Sequence, residues 1–157
     1  MAKQYWLLKS EPDSFSVDDL AQCSRQTTCW EGVRNYQARN FMRAMKRGDS
    51  AFFYHSNADP PGIVGMVEIV KEAYTDHYAF DPKNRYYDSK STQELSRWSM
   101  VDVRLVQQFS TLLSLSTIKE VPELAGMELL RKGSRLSVQV VRPSEWKVIM
   151  GLVKKQS

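Results

Sequence analysis

Cysteine and histidine are scarce in this sequence of 157 residues: two of each, Cys23, Cys29, His55 and His77. Two thiols six positions apart make no disulfide framework, so both are expected to be ordinary reduced cysteines. A zinc site would have to draw both histidines from distant segments, and no paired-ligand spacing supports one; neither a metal nor a cofactor is expected. Long apolar runs are missing too. None approaches the ~20 residues of a membrane span, and the opening stretch MAKQYWLLKSEP has too short an apolar core and no small-residue cleavage site for a signal peptide. A soluble intracellular protein is expected, cytoplasmic or, in a eukaryotic source, nuclear, without a membrane partner. Seven glycines and six prolines are too few for a fibrous or low-complexity chain. With no repeat and no Gly-, Ser- or Pro-rich linker, a single domain over 1–157 follows.

Catalytic signatures are absent as well. There is no G-x-S-x-G, no H-x-E with P-C-x-x-C, and no phosphate-binding glycine loop. His55 and Ser56 are neighbours in an expected strand, so their side chains point to opposite faces and do not pair as base and nucleophile. No catalytic residue is assigned.

What is present is a globular composition, 42% hydrophobic and 25% charged, in a chain long enough to bury roughly two thirds of its unfolded surface. The net charge of +4 is concentrated. Between Arg25 and Arg47 stand six basic residues, Arg25, Arg34, Arg39, Arg43, Lys46 and Arg47, against one acid, Glu31, and such a stretch favours a polyanionic partner.

The apolar run Tyr5 to Lys9 reads as a buried strand, followed by Glu11-Pro12 and a capped helix start at Ser16 with Asp19 three positions on. Gln37 to Lys46 sets Ala38, Phe41, Met42 and Met45 at helical spacing for the core, with the basic residues on another side. Ala51 to Ser56 and Ile63 to Val70 read as strands joined by a wide hairpin through Asn57 to Gly62, with Gly65 marking a bulge or close approach. The stretch Tyr74 to Thr92, rich in tyrosine and polar residues, is the expected long loop. Val101, Val103 and Leu105 alternate as a half-buried strand after Trp98. Pro122 to Lys132 reads as a helix stopped at Gly133, then Leu136, Val138 and Val140 as a strand. A last helix from Pro143 buries Trp146, Ile149, Met150 and Val153. Short strands and helices at irregular intervals predict an α+β fold, a small mixed or antiparallel barrel flanked by helices, rather than a doubly wound sheet.

Four blocks carry a resemblance: KSEPDSFSVDDL (9–20), TCWEGVRNYQARNFMR (28–43), FFYHSNADPPGIVGMVEI (52–69) and LLRKGSRLSVQVV (129–141). In this order they span nearly the whole chain, and together they resemble the EVE-domain family. The resemblance implies a PUA-like mixed or antiparallel β-barrel surrounded by helices. It also implies kinship with the YTH domains that read methylated adenine, and a pocket for a base such as 5-methylcytosine, its hydroxymethyl form or N6-methyladenine.

A flipped base needs flat apolar faces and a few donors and acceptors for its edge. Trp30 lies outside any periodic apolar pattern; tryptophans are usually core, but the family block points to a pocket wall. Ser10, Ser56, Asn57 and Tyr54 join it through the same blocks, although Ser56 and Asn57 also suit turn chemistry. Asn35 is a candidate both as ligand contact and as helix N-cap. A second aromatic wall comes from Trp98 or from a tyrosine of the 74–92 loop. Arg135 could reach the ligand or a phosphate, or could cap a helix end. Arg34, Arg39, Arg43 and Lys46 are candidate phosphate contacts, with a solvated helix face as the alternative. The resulting expectation is a monomeric, non-catalytic reader of a modified base in DNA or RNA. A nucleic-acid-processing or base-modifying enzyme on a PUA-like fold, or a protein-interaction module, are the alternatives.

Overall fold

A computed structural model describes residues 3–91 and 97–156. Its centre is a mixed sheet in the order β2-β5-β4-β3-β1-β6, where β1 is Tyr5–Ser10, β2 Thr27–Cys29, β3 Ser50–His55, β4 Gly62–Thr75, β5 Ser99–Ser114 and β6 Val138–Val141. β1 and β3 run parallel and all other pairs antiparallel. The apolar runs YWLL and AFFY belong to interior strands with both faces covered, which explains why they do not alternate with polar residues. Trp6, Leu8, Ala51 and Phe53 enter one core. Leu7, Phe52 and Tyr54 enter the other.

The first core is closed by α1 (Val17–Gln22) and α2 (Tyr36–Ala44). A capping box starts α1: Ser16 Oγ accepts from Asp19 N at 3.0 Å and Asp19 Oδ2 accepts from Ser16 N at 2.8 Å. Asn35 caps α2, its Oδ1 accepting from Ala38 N at 3.0 Å. Such caps contribute about 1 kcal/mol each. Ala38, Met42 and Met45 are buried as the spacing predicts, while Phe41 is only partly buried. The second core is covered by α3 (Leu115–Lys119) and α4 (Pro143–Gln156). There Trp146 stacks on Phe52 at 3.8 Å and on Tyr5 at 4.6 Å.

Between the edge of α2 and the sheet, the buried Asp49 carboxylate accepts from Gln4 N, Trp6 Nε1 and Lys46 N, all at 2.9–3.1 Å. One side chain thus joins the start of β1 to the exit of α2. Gly65 marks a close approach, since a β-carbon there would lie 2.8 Å from the Gln107 carbonyl. The β4–β5 register shifts around it, and bulges of this kind bend strands and increase twist. The sheet remains open: β2 and β6 are its edges and do not pair among the described residues. A hydrogen-bonded closed barrel is therefore corrected to a coiled open sheet, because each edge strand is short and pairs on one side only.

Three local expectations change. Pro122–Lys132 is not one helix but two 3-10 turns, Pro122–Leu124 and Glu128–Leu130. Each plants an apolar anchor, and Gly126 between them opposes continuation by about 1 kcal/mol. Val140 is 46% exposed although Val138, on the same face of β6, is fully buried; Gln139 and Val141 are buried on the other face, so only the far end of this edge strand's first face is left uncovered. The 74–92 stretch is built rather than formless. β4 runs on to Thr75, and four successive Asx turns follow, in which Asp76, Asp81, Asn84 and Asp88 accept from the backbone N–H two residues on. Thr92 lies outside the described residues.

Candidate functional site

The ends of β1 and β2, the turn after β3 and the 84–86 turn converge on a cavity of about 660 Å³. β1 and β2 are four strand steps apart, about 19 Å in a flat sheet, so the coil of the sheet brings them together. Ser10, Trp30, Ser56, Asn57 and Arg135 all line this cavity.

Trp30 is held from several sides. Its backbone N–H donates to the Val101 carbonyl at 2.7 Å. Its ring meets Phe53 edge-on at 5.3 Å and Phe15 at 6.4 Å, both nearly perpendicular. At 8% exposure it belongs to the core and to the cavity wall at once. Ser10 Oγ donates to the Phe15 carbonyl at 2.6 Å, fixing a second aromatic lining residue. The Ser56 N–H donates to the Ser10 carbonyl at 3.0 Å. Asn57 takes a left-handed φ of 49°, a conformation asparagine tolerates better than most residues.

Tyr86, from the tyrosine loop, also lines the cavity. Its ring lies directly on Gly32, where a β-carbon would fall 2.5 Å from Cε1 and where φ is +83°; only glycine meets both conditions. Arg34 fixes that contact. Its Nε and Nη2 donate to the Tyr86 carbonyl at 3.0 and 2.7 Å, and its Nη1 pairs at 2.9 Å with Asp76 Oδ2. Asp76 is fully buried and also accepts from the Gly32 N–H at 2.9 Å. A single ion pair therefore clamps both the glycine and the tyrosine.

The other sequence candidates lie elsewhere. Arg34, expected as a phosphate contact, has its guanidinium engaged by Asp76 and the Tyr86 carbonyl and keeps 22% of its side-chain surface exposed. Tyr54, 3% exposed, faces the opposite core; burial pushes its phenol pKa up. Trp98 does not line the cavity: it stacks on Tyr36 at 4.9 Å and its indole N–H donates to Asp88 Oδ2 at 2.6 Å. The Asn35 side chain serves as the α2 cap and borders a smaller depression of about 240 Å³ that shares Arg135 with the main cavity. On α2, Arg39 donates to the Arg97 carbonyl at 3.0 Å and Arg43 to Ser99 Oγ at 2.9 Å, whereas Lys46, two residues past the helix, is exposed.

Lys9, Phe15, Glu31 and Tyr86 also line the cavity, and sequence reasoning did not single them out. Lys9 and Glu31 stand beside Ser10 and Trp30 in the resemblance blocks, a signal that could have found them; Tyr86 is one of the tyrosines of the 74–92 loop. Burial lowers the Lys9 pKa against the opposing pull of Glu128. Cys29, also at the wall, is pushed up to about 11, mainly by burial and then by the neighbouring Glu31, so its thiol is a donor and not a nucleophile at neutral pH. Among the described residues no group of three or more His, Cys, Asp or Glu is placed to hold a metal, and no helix is long and apolar enough to cross a membrane.

Comparison with known proteins agrees with this architecture. Thymocyte nuclear protein 1 from chicken is 48% identical over 97% of the chain and 69% of its own length, and the human protein is 44% identical over 97% and 75%. The structure of human thymocyte nuclear protein 1 in complex with DNA containing 5-methylcytosine superposes with a TM-score of 0.92 at 43% identity, covering 97% of this chain and 98% of that one. A hypothetical protein from Leishmania major gives 0.94 at 48% identity over 99% and 97%. The YTH domain of the Zygosaccharomyces rouxii MRB1 protein, 16% identical over 97% of this chain and 87% of that one with a TM-score of 0.54, shares the fold. The model of the EVE domain matches residues 4–152, and the chain belongs to the EVE-domain family.

Proposed function

We propose that this chain is a non-catalytic domain that takes a modified nucleobase of DNA or RNA into the cavity between Trp30 and Tyr86, while basic side chains outside it hold the flanking backbone. The observation that carries the reading is the convergence of two aromatic walls with Ser10, Ser56 and Asn57 in one cavity, of a volume usual for small-ligand sites. The human relative bound to DNA containing 5-methylcytosine supports the choice of ligand class. Stacking supplies roughly 1–3 kcal/mol per base and the polar groups read its edge, with no bond made or broken. Arg135 and Lys9 at the rim, with Arg39 and Arg43 on α2 and Lys46 just past its end, are the proposed phosphate contacts; Arg34 is a positioning residue for Tyr86. The proposed domain acts as a monomer.

The test is titration of matched oligonucleotides carrying 5-methylcytosine or cytosine, with the wild-type chain and with Tyr86→Ala. The wild type should prefer the modified strand, and Tyr86→Ala should lose that preference while retaining weak, salt-sensitive binding, because phosphate contacts carry no base information. Unchanged preference in the variant would remove Tyr86 from the site. Equal wild-type affinity for both strands would overturn the reader assignment.

A further inference from the structure

The segment 29–32 holds a feature that aromatic stacking does not use. Glu31 lines the cavity, preceded in the chain by Trp30 and followed by Gly32, on which the Tyr86 ring rests. Its main chain is clamped on both sides, by the Trp30 N–H on the Val101 carbonyl and the Gly32 N–H on Asp76. One carboxylate oxygen, Oε2, accepts from the Cys29 thiol at 3.4 Å. The raised pKa of Cys29 keeps that thiol protonated and donating. Glu31 forms no ion pair among the described residues, so Oε1 has no protein cation to satisfy it. Glu11, the other carboxylate at the cavity, is exposed on the loop after β1.

We infer that Glu31 selects bases bearing an exocyclic amino group, cytosine or adenine derivatives, over thymine and uracil, an inference that rests on the cavity being the base site. A carboxylate can only accept, and the edge of cytosine or adenine offers it an amino N–H. In thymine and uracil the same position is a carbonyl oxygen, and the ring N–H lies between two carbonyls that repel a carboxylate. The oxygen that Cys29 does not engage can accept one N–H, which an amino group retains even after one methylation. Because the segment is fixed before the ligand arrives, little ordering opposes the contact.

Thymine is the 5-methyl pyrimidine that differs from 5-methylcytosine at this amino position, so the two isolate the contact. Strands of one sequence carrying 5-methylcytosine, thymine, cytosine or uracil at the central position are titrated against the wild-type chain and Glu31→Gln. Strands with N6-methyladenine or adenine distinguish a purine from a pyrimidine ligand. The wild type should bind 5-methylcytosine at least about tenfold more tightly than thymine, within the range of one good base-edge contact. Glu31→Gln, whose amide can accept or donate, should reduce that ratio to about twofold or less, mainly by gaining affinity for thymine. Equal wild-type affinity for 5-methylcytosine and thymine, or a ratio untouched in Glu31→Gln with an unchanged melting temperature, overturns the inference. If methylated and unmethylated strands bind alike, the reader assignment fails instead, and cytosine against uracil still decides the role of Glu31. Binding to none of the strands defeats both.

Discussion

Replacing Arg34 by alanine separates a clamp from a phosphate contact, because the two roles move different quantities. In the folded chain the guanidinium makes two hydrogen bonds to the Tyr86 carbonyl and an ion pair to Asp76, a carboxylate with no exposed surface. Removing it leaves that carboxylate, among the described residues, with the N–H groups of Gly32 and Tyr78. Breaking a buried pair from one side typically destabilises by about 3–5 kcal/mol. Arg34 keeps 22% of its side-chain surface, so the lower end, about 3 kcal/mol, is the expected loss. For a chain of this size that corresponds to a melting temperature lowered by roughly 6–12 °C. Arg34→Lys should recover only part of it, since an ammonium cannot reproduce the fork that reaches Tyr86 and Asp76 together. Arg34→Ala combined with Asp76→Asn should be less destabilised than the sum of the single changes, by at least about 1 kcal/mol. Thermal and urea melts of the wild type and these variants measure this. If Arg34→Ala melts within about 0.5 kcal/mol of wild type and instead flattens the salt dependence of binding, the clamp is wrong and Arg34 is a phosphate contact.

Removing Arg39 and Arg43 together by alanine should weaken binding of modified and unmodified strands equally and reduce the slope of log K against log salt by roughly 0.7–0.9 for each phosphate left without its cation; an unchanged slope returns both to the solvated face of α2. His55 Nε2 accepts from the Val17 N–H at 3.1 Å at the start of α1, and burial lowers its pKa below the usual 6.5 despite the opposing Asp18. The unfolded chain therefore takes up that proton first. Stability from His55 is full above about pH 6.5 and declines as pH falls toward its lowered folded value. Asp88, lowered by the Trp98 N–H and then by the Lys90 N–H, acts in a separate window, its contribution present above about 3.8 and lost only below. Urea midpoints between pH 7 and 5 should fall for wild type and stay flatter for His55→Gln, which retains an acceptor; identical profiles would refute the role.

The strands at Tyr5, Ala51, Ile63 and Val101 were legible because burial leaves a direct trace in apolar residues, and Ser16 with Asp19 declared the start of α1. The length of β5 was not, since beyond Leu105 its exposed Val106, Gln107 and Gln108 carry no alternation. Pro122–Lys132 misled because isolated 3-10 anchors mimic helical spacing. Of the residues that line the cavity, Ser10, Trp30, Ser56 and Asn57 were legible through the resemblance rather than through periodicity, and Arg135 through the chemistry of its guanidinium. Arg34 could not be separated from its basic neighbours locally, as its partner Asp76 stands 42 positions away. Tyr86 was one tyrosine among several, singled out only by the Asn84 turn and the bare backbone of Gly32.

The central claim, that a modified base sits between Trp30 and Tyr86, is tested most directly by the methyl group itself. In an oligonucleotide carrying 5-methylcytosine with a 13C-labelled methyl, NMR during titration should show that resonance moving upfield under the ring currents of the cavity walls, and moving much less with Tyr86→Ala. A methyl resonance that stays at its free position while the oligonucleotide is demonstrably bound would contradict it.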